Sequence, residues 1–458
     1  MTAAPLGRRI ALSASGDATP SSSDAELEEW WLSRPRHELL SVDRTGFDAT
    51  DQWYFSADTG DLAHRSGGFF SVRGLEASDS GRTVHQPAIH QSEIGVLGIL
   101  VKEIAGVPHF LMQAKFEPGN VNLRQLSPTV QATKSNYTAV HGGRSTPYME
   151  YFRAPRPGRV LSDVLQSEQG EWFWHKHNRN IVVEVPPDTE VPARQDHRWC
   201  TLAQIHRMLH RDNVVNMDTR TVLSTLPVER ADAPEGADPF TRALYRSYED
   251  ASLHSMTEVL SWFTEAKAVN EARSRLVPLG GLAGWERTDD EIRPLRHAGF
   301  HIIMVSVRAR IREVDSWVQP LLAPTGPGFA AFLVKDIDGV LHVLVRSRAE
   351  PGTRDGVEMA PTVQDSPSAA ALGRTEPYAD EVRTRGRVLY DNLLSEEGGR
   401  FHHAQTRYRI VEATPELSTE VPEDFCWVTV AQLMELVRHG RYLNIEARTL
   451  LLCVHTLG

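Results

Sequence analysis

The sequence predicts an α+β protein that arose by tandem duplication of a mixed β-sheet domain with flanking helices. Short motifs recur at a constant spacing: Glu117-Pro118-Gly119 reappears as Glu350-Pro351-Gly352, 233 positions further along the chain. Towards the end of each copy the spacing becomes 228, where Trp199 matches Trp427. The second copy has therefore lost five residues. Apolar segments rich in β-branched residues predict the sheets of each copy.

The duplication divides the 458 residues into a series of segments. We expect a disordered N-terminal segment at residues 1–24, a first repeat at 25–226, a linker at 227–238 and a second repeat at 239–458. The linker is predicted from its content of Pro, Ala and acidic residues.

Apolar periodicity and capping residues predict the individual elements. The predicted strands include residues 86–89, 95–104, 107–113, 180–185 and 409–412. The predicted helices cover residues 25–40, 159–167, 202–210, 218–226, 239–272, 430–439 and 445–454. Their predicted N-caps include Ser23 or Asp24, Thr201 and Thr429.

Composition excludes several classes of function. The formal net charge of −11 argues against a nucleic-acid-binding protein, which normally presents a basic surface. No run of about 18 apolar residues is present, so we expect no membrane span. The three cysteines, Cys200, Cys426 and Cys453, have no paired spacing. We therefore predict a reduced, cytoplasmic protein without a zinc site.

A polar stretch at residues 113–137 follows the apolar strand that contains Phe110 and Leu111. It is rich in amide, hydroxyl and charged side chains. Because loops on a rigid scaffold often carry function, this stretch predicts the lining of a pocket. An ordinary polar turn is the alternative.

The motifs around this stretch resemble one family. Gln86-Pro87, Glu93-Ile94-Gly95, Gln113-Ala114-Lys115 and Thr133-Lys134-Ser135-Asn136-Tyr137 are similar to the signature of the NDP-hexose 2,3-dehydratases. The resemblance covers essentially the whole chain. It implies a homodimer whose subunit contains two Nudix-like mixed β-sheet domains. It also implies elimination of water across C2–C3 of dTDP-4-keto-6-deoxy-D-glucose, without a cofactor, in deoxysugar and antibiotic biosynthesis.

The product, a 3,4-diketo-2,6-dideoxyhexose, is expected to pass to a 3-ketoreductase. Both repeats lack the glutamate-rich Nudix helix. We therefore predict no metal site, because the carboxylates that would hold Mg²⁺ are not at the required spacing. Two alternatives remain open: an epimerase or isomerase of the same ketosugar, and a non-catalytic Nudix-like nucleotide-binding protein.

The elimination requires a base for the C3 proton, a donor for the enolate oxygen and an acid for the C2 hydroxyl. Lys115 and Glu117 lie two positions apart, so on a strand they face the same side. We predict that Lys115, Glu117 and Tyr137 are catalytic; His141 and Glu150 are other possible acids or bases. A purely structural ion pair between Lys115 and Glu117 is the alternative.

Comparison of the two copies assigns catalysis to the first. At the positions of Lys115, Asn120, Gln125, Asn136 and Tyr137, the second copy has, in that order, Arg348, Thr353, Glu358, Ala369 and Ala370. The second copy has thus lost most of the amide and phenol groups that would act on a sugar.

The remaining predicted contacts are to the nucleotide sugar. In the first repeat the predicted ligand-binding residues are Gln113, Asn120, Gln125, Thr133, Lys134, Ser135 and Asn136. In the second repeat Arg348, Arg374 and Arg400 are predicted to clamp a diphosphate, since guanidinium groups bind phosphates in a bidentate manner. Thr375, Tyr378 and His402 are further predicted contacts.

Trp53 and Trp285 are predicted to stack on thymine, with a role in the core as the alternative. His402 and His403 are expected to face opposite sides of a strand and not to form a metal site.

Overall fold

The computed structural model describes residues 4–16, 18–33, 40–79, 82–134, 146–230, 232–249, 252–296, 299–309, 316–366 and 376–457. The helices of the first repeat are α1 (Leu6–Ala14), α2 (Asp24–Leu32), α3 (Leu202–Leu209) and α4 (Met217–Leu223). Its strands are β1 (Leu40–Thr45), β2 (Trp53–Phe55), β3 (Leu62–His64), β4 (Ser71–Asp79), β5 (Arg82–His90), β6 (Gly95–Ile104), β7 (Val107–Phe116), β8 (Arg124–Ser127), β9 (Val130–Ala132), β10 (Arg159–Ser167), β11 (Phe173–Trp174), β12 (His177–Val185) and β13 (His197–Cys200).

The second repeat follows the same plan. Its helices are α5 (Pro239–Arg246), α6 (Met256–Ala268), α7 (Val430–Leu436) and α8 (Ile445–Val454). Its strands are β14 (Arg273–Val277), β15 (Trp285–Arg287), β16 (Glu291–Pro294), β17 (Phe300–Ala309), β18 (Ser316–Pro324), β19 (Gly328–Ile337), β20 (Val340–Ala349), β21 (Val357–Ala360), β22 (Val363–Asp365), β23 (Arg387–Ser395), β24 (Gln405–Glu412) and β25 (Phe425–Thr429). None of the helices in the described residues is long and apolar enough to cross a membrane.

Each repeat is built around a mixed seven-stranded sheet with the same strand order. In the first repeat the order is β10-β12-β6-β7-β13, with β8 paired to β7 and β9 to β6. In the second it is β23-β24-β19-β20-β25, with β21 paired to β20 and β22 to β19. Parallel pairing occurs between β12 and β6 and between β24 and β19. The predicted mixed sheets and the internal repeat are thus confirmed.

The two repeats exchange one strand each. Strand β1 of the first repeat pairs with β17 of the second, with Leu40 opposite Ala309. Strand β14 of the second repeat pairs with β4 of the first, with Arg273 opposite Ser78. The largest hydrophobic core also contains residues of both repeats, among them Phe332 of the second. Each repeat therefore has a second, smaller sheet that includes one strand of the other repeat.

A buried arginine pair explains one of the repeated motifs. Arg220 and Arg448 are both fully buried. The Nε of Arg220 donates to Thr449 Oγ1 at 3.3 Å, and the Nε of Arg448 donates to Thr221 Oγ1 at 2.8 Å. The repeated Arg-Thr dipeptide therefore forms reciprocal hydrogen bonds that join α4 to α8.

The N-terminal segment differs from the prediction. Residues 6–14, expected to be disordered, form α1, whose Ile10 is buried in the main core. The Ser13 hydroxyl donates to Pro108 O and accepts from Leu202 N. Ser247 makes the equivalent contacts to Leu341 O and Val430 N. Packing against the sheet therefore orders a segment whose composition alone indicated disorder.

Two predicted helices were wrong. Residues 159–167 form strand β10, which pairs with β12 and contains a bulge between Val160 and Ser162. A bulge interrupts the two-residue alternation, so the apolar spacing resembles that of a helix. The single helix expected over 239–272 is divided into α5 and α6. The break lies where Ser247 bonds to the sheet and Ser255 begins the next helix with a capping box.

The predicted closing helices are confirmed as α3, α4, α7 and α8, with ends that differ by a few residues. Thr201 and Thr429 each form a capping box with the glutamine three positions later. Ser23 forms the same motif at α2, which ends at Leu32, before the predicted end at residue 40.

Candidate active site

A turn of the first repeat, at residues 117–120, contacts a loop of the second repeat. The amide of Gly119 donates to Gly398 O at 2.8 Å, and His403 N donates to Gly119 O at 2.7 Å. A Cβ placed on Gly119 would lie 1.6 Å from Phe401 O. The close approach of the two backbones therefore requires glycine at this position.

The equivalent turn at residues 350–353 makes the reciprocal contact. Gly352 N donates to Gly170 O at 2.6 Å, and His175 N donates to Gly352 O at 2.9 Å. A Cβ on Gly352 would lie 1.7 Å from Phe173 O. The repeated Glu-Pro-Gly motif is thus the element by which each repeat docks onto a loop of the other.

Lys115 and Glu117 face the same side of β7 and its extension, as predicted. Lys115 Nζ lies 3.1 Å from Glu117 Oε1. The Gln131 side chain donates to the same carboxylate oxygen at 3.0 Å and accepts from Asn216 Nδ2 at 3.1 Å. This chain of contacts fixes the carboxylate at the end of the sheet. An ion pair of this kind is compatible with both the catalytic and the structural interpretation.

Further charged side chains surround this pair and interact with one another electrostatically. We call the set the first cluster; its members are Lys115, Glu117, Glu168, Lys176, Asp218, Glu397 and Arg400. Glu397 and Arg400 come from the second repeat. The cluster therefore lies at the junction and belongs to both halves of the chain.

Three carboxyl groups of the first cluster have raised pKa values. Burial, followed by the charge of Glu397, raises the pKa of Glu168 to about 8. Burial and the neighbouring carboxylates raise the pKa of Asp218 well above its ordinary range. Burial and the charge of Glu117 raise the pKa of Glu397, although Arg400 opposes the shift. A carboxyl group with a raised pKa retains its proton to higher pH than usual, so it can act as a general acid.

Lys176 and Arg400, two cations of the first cluster, are held by the segment that follows β5. Burial lowers the pKa of Lys176, whose Nζ donates to Glu93 O. Arg400 Nε donates to Gln91 Oε1 at 3.1 Å, and its guanidinium lies over the ring of Phe70 at 4.4 Å. Proton acceptors and fixed positive charge are therefore present in one site.

The equivalent positions of the second repeat form a second cluster with fewer ionisable groups. There Ala404 replaces Lys176, Gln169 replaces Glu397 and Trp172 replaces Arg400. Arg348, which replaces Lys115, lies 3.7 Å from Glu350 and 3.4 Å from Glu376. The first cluster thus has the greater capacity for acid–base chemistry.

Buried polar atoms without a partner also mark the first repeat. Asn120 Oδ1, Gln125 Oε1 and Ser127 Oγ have no hydrogen-bond partner within the described part of the chain. Their counterparts are Thr353, which bonds to Glu350 O, Glu358, which accepts from Ser167, and Ala360. Among the described residues the second repeat also has unpaired buried atoms, Arg348 Nε and Glu446 Oε2, so the difference between the repeats is confined to these three positions. Asn120 and Gln125 remain predicted ligand contacts.

Other predicted residues have contacts outside the first cluster. The Gln113 side chain donates to Asp196 Oδ2 at 2.9 Å. Thr133 is half-buried, and Lys134 is exposed. Tyr378 packs edge-on against Phe425 in the second repeat. Arg348 and Arg400 have different partners: Arg348 lies beside Glu350 and Glu376, and Arg400 donates to Gln91.

The predicted tryptophans lie apart from the charged groups. Trp53 is buried in a core cluster, and its indole donates to Val318 O at 2.8 Å. Trp285 is half-buried and donates to His85 O at 2.7 Å. It lines a cavity of about 710 Å³ that shares no lining residue with the first cluster. Trp53 therefore has the role in the hydrophobic core that was the alternative to stacking on thymine.

The geometry predicted for His402 and His403 was wrong. Their rings are stacked, with centroids 3.9 Å apart, because His403 has a φ of 53° and leaves the strand geometry. Within the residues that the structure describes, no group of three His, Cys, Asp or Glu side chains could hold a metal ion.

The predicted site residues Ser135, Asn136, Tyr137, Arg374 and Thr375 lie outside the described residues.

Sequence reasoning missed Glu168, Lys176, Asp218 and Glu397. A search for ionisable residues present in one copy and absent from the other would have found Lys176 and Glu397. Asp218 and Glu168 have acidic counterparts in Glu446 and Glu396, so comparison of the two copies does not single them out.

The raised pKa of Glu168 predicts a change in stability with pH. The carboxyl holds its proton more tightly in the folded chain, so stability is lost as pH rises from 4.5 to about 8. Glu168→Gln should therefore increase the free energy of unfolding at pH 8 by about 2–4 kcal/mol and have little effect at pH 4.5. Urea unfolding at both pH values measures the difference; an equal effect at both would contradict the assignment.

Comparison with known proteins identifies the family of the chain. The model of the NDP-hexose 2,3-dehydratase family matches residues 24–226 and again residues 256–454. A protein of Saccharopolyspora spinosa named dTDP-4-dehydro-6-deoxy-alpha-D-glucopyranose 2,3-dehydratase is 47% identical, over 99% of this chain and 97% of that protein. Proteins of the same name from Amycolatopsis orientalis and Streptomyces violaceoruber are 44% and 45% identical. Those alignments cover 98% and 94% of this chain, and 93% and 97% of the relatives. The chain belongs to the NDP-hexose 2,3-dehydratase family.

Proposed function

We propose that this chain eliminates water across C2 and C3 of dTDP-4-keto-6-deoxy-D-glucose. The product is a 3,4-diketo-2,6-dideoxyhexose for deoxysugar and antibiotic biosynthesis. Full-length similarity to three proteins with a matching name supports this substrate. The structural observation that carries the proposal is the first cluster, in which carboxyl and amino groups with shifted pKa values are buried together.

The reaction begins with removal of the C3 proton, which the neighbouring C4 ketone makes acidic. The Lys115–Glu117 pair is the proposed acceptor, because its two groups are 3.1 Å apart and can share one proton. Tyr137 is a further proposed catalytic residue. Electrons of the C3–H bond form an enolate, whose oxygen carries negative charge and is stabilised by nearby fixed cations.

The second step expels the C2 hydroxyl. The enolate electrons re-form the C4 carbonyl and create the C2–C3 double bond, while a carboxylic acid protonates the departing hydroxyl to give water. The resulting enol takes a proton at C2 and loses one from O3 to become the diketone. The substrate supplies its own ketone, so the step is redox-neutral.

The assay that tests this function combines the chain with dTDP-4-keto-6-deoxy-D-glucose and a 3-ketoreductase. We expect NMR to show loss of the C3 proton and of the C2 oxygen, followed by a stable 2-deoxy sugar. A product that retains the C2 oxygen and differs only in configuration would contradict dehydration and indicate an epimerase. Binding without conversion would indicate a non-catalytic nucleotide-binding protein.

The assembly and surroundings of the enzyme are part of the same proposal. We expect a cytoplasmic homodimer of subunits with two Nudix-like repeats, which passes its product to a 3-ketoreductase. Light scattering of the purified chain measures the subunit number, and a monomeric mass would contradict the dimer.

A further inference from the structure

Glu397 lies in the loop of the second repeat that contacts the turn at residues 117–120. A Cβ placed on Gly399 would lie 3.1 Å from Glu397 Oε1 and 3.4 Å from Glu117 Oε1. Both carboxyl groups therefore converge on the space beside Gly399. The absence of a side chain at this glycine leaves that space open between a residue of the first repeat and a residue of the second.

We propose that Glu397 is the acid that protonates the departing C2 hydroxyl, so that the second repeat completes the catalytic site of the first. This inference rests on the proposed function. In the step, the O–H bond of the Glu397 carboxyl breaks and a new O–H bond forms on the C2 oxygen. The C2–O bond breaks with its electrons on oxygen, water leaves, and Glu397 remains as a carboxylate beside the cations of the first cluster.

Accessibility distinguishes Glu397 from the other carboxyl groups of the cluster. Glu168 is 4% exposed and its Oε1 accepts from Asn178 Nδ2 at 2.6 Å. Asp218 is 2% exposed. Glu397 is half-buried, so it can reach a substrate while still interacting with Glu117 and Lys115. Burial and the charge of Glu117 also raise its pKa, although Arg400 opposes the shift.

The second cluster provides an internal comparison. The residue equivalent to Glu397 is Gln169, whose amide donates to Glu396 Oε2 at 3.0 Å. An amide cannot transfer a proton to a departing hydroxyl. The loop of the first repeat therefore lacks the acid that the loop of the second repeat provides.

The test is Glu397→Gln, which keeps the shape of the side chain and removes only the acid. In D₂O we expect exchange of the C3 proton within tenfold of wild type, because the base still forms the enolate. Elimination should fall by about 10²–10⁴-fold. Glu416→Gln, the same change at an exposed glutamate of the second repeat, should leave elimination within about threefold of wild type.

A substrate analogue makes the test independent of folding. Fluoride at C2 leaves without a protonated acid, so Glu397→Gln should release fluoride from dTDP-2-fluoro-2-deoxy-4-keto-6-deoxyglucose within tenfold of the wild-type rate. Water elimination within threefold of wild type would overturn the proposal, and so would an equal loss of exchange, elimination and fluoride release. Failure of the wild-type chain to eliminate water would instead refute the proposed function.

Discussion

Lys115→Arg is expected to lose both C3 proton exchange and elimination by about 10²–10⁴-fold. The variant keeps a positive charge beside Glu117, so a purely structural ion pair would survive. A guanidinium, however, cannot be deprotonated near neutral pH and cannot take part in proton transfer. NMR of the substrate in D₂O measures exchange, and the coupled reductase assay measures elimination.

The control for this variant is the same substitution at another lysine. Lys102 lies on β6, and its Nζ donates to Thr189 O at 2.8 Å. Lys102→Arg should retain activity within about threefold of wild type. If Lys115→Arg kept wild-type exchange, Lys115 would have only a structural role and Glu117 or Tyr137 would be the base.

Gly119→Ala is expected to reduce the free energy of unfolding by about 3 kcal/mol or more. The added Cβ would lie 1.6 Å from the backbone oxygen of Phe401, and a backbone atom cannot move away as the end of a side chain can. The turn that follows Lys115 and Glu117 would shift, so elimination should be lost as well. Urea unfolding and the coupled assay measure the two effects.

Gly326→Ala is the matched control for this substitution. A Cβ on Gly326 would meet no atom within 4 Å, so the variant should change stability by less than about 0.5 kcal/mol. An unchanged urea midpoint for Gly119→Ala would mean that the two repeats dock in another way.

The Lys115–Glu117 contact was predictable, because alternate residues of a strand share a face. The helices capped at Thr201 and Thr429 were predictable for a similar reason: the capping box is local in sequence. The strand at residues 159–167 was not, since its bulge and its pairing with β12 override the local pattern.

The contribution of Glu397 and Arg400 to the first cluster was also beyond sequence reasoning. The motif Glu117-Pro118-Gly119 indicated a turn with a function, but not the loop that it contacts. That loop lies about 280 positions away in the chain, and its place depends on how the two sheets pack.

By itself the sequence determined the duplication, the resemblance to the NDP-hexose 2,3-dehydratases and the repeat that kept the polar groups. These properties depend on residue identity and spacing, which are preserved along the chain. The tertiary structure alone decided that the repeats exchange β1 and β14 and that a carboxyl group of the second repeat joins the site of the first. Contacts between residues far apart in the sequence follow from the packing of whole sheets. The backbone N–H and C=O groups of a buried strand edge need hydrogen-bond partners, and the strand that provides them can come from anywhere in the chain.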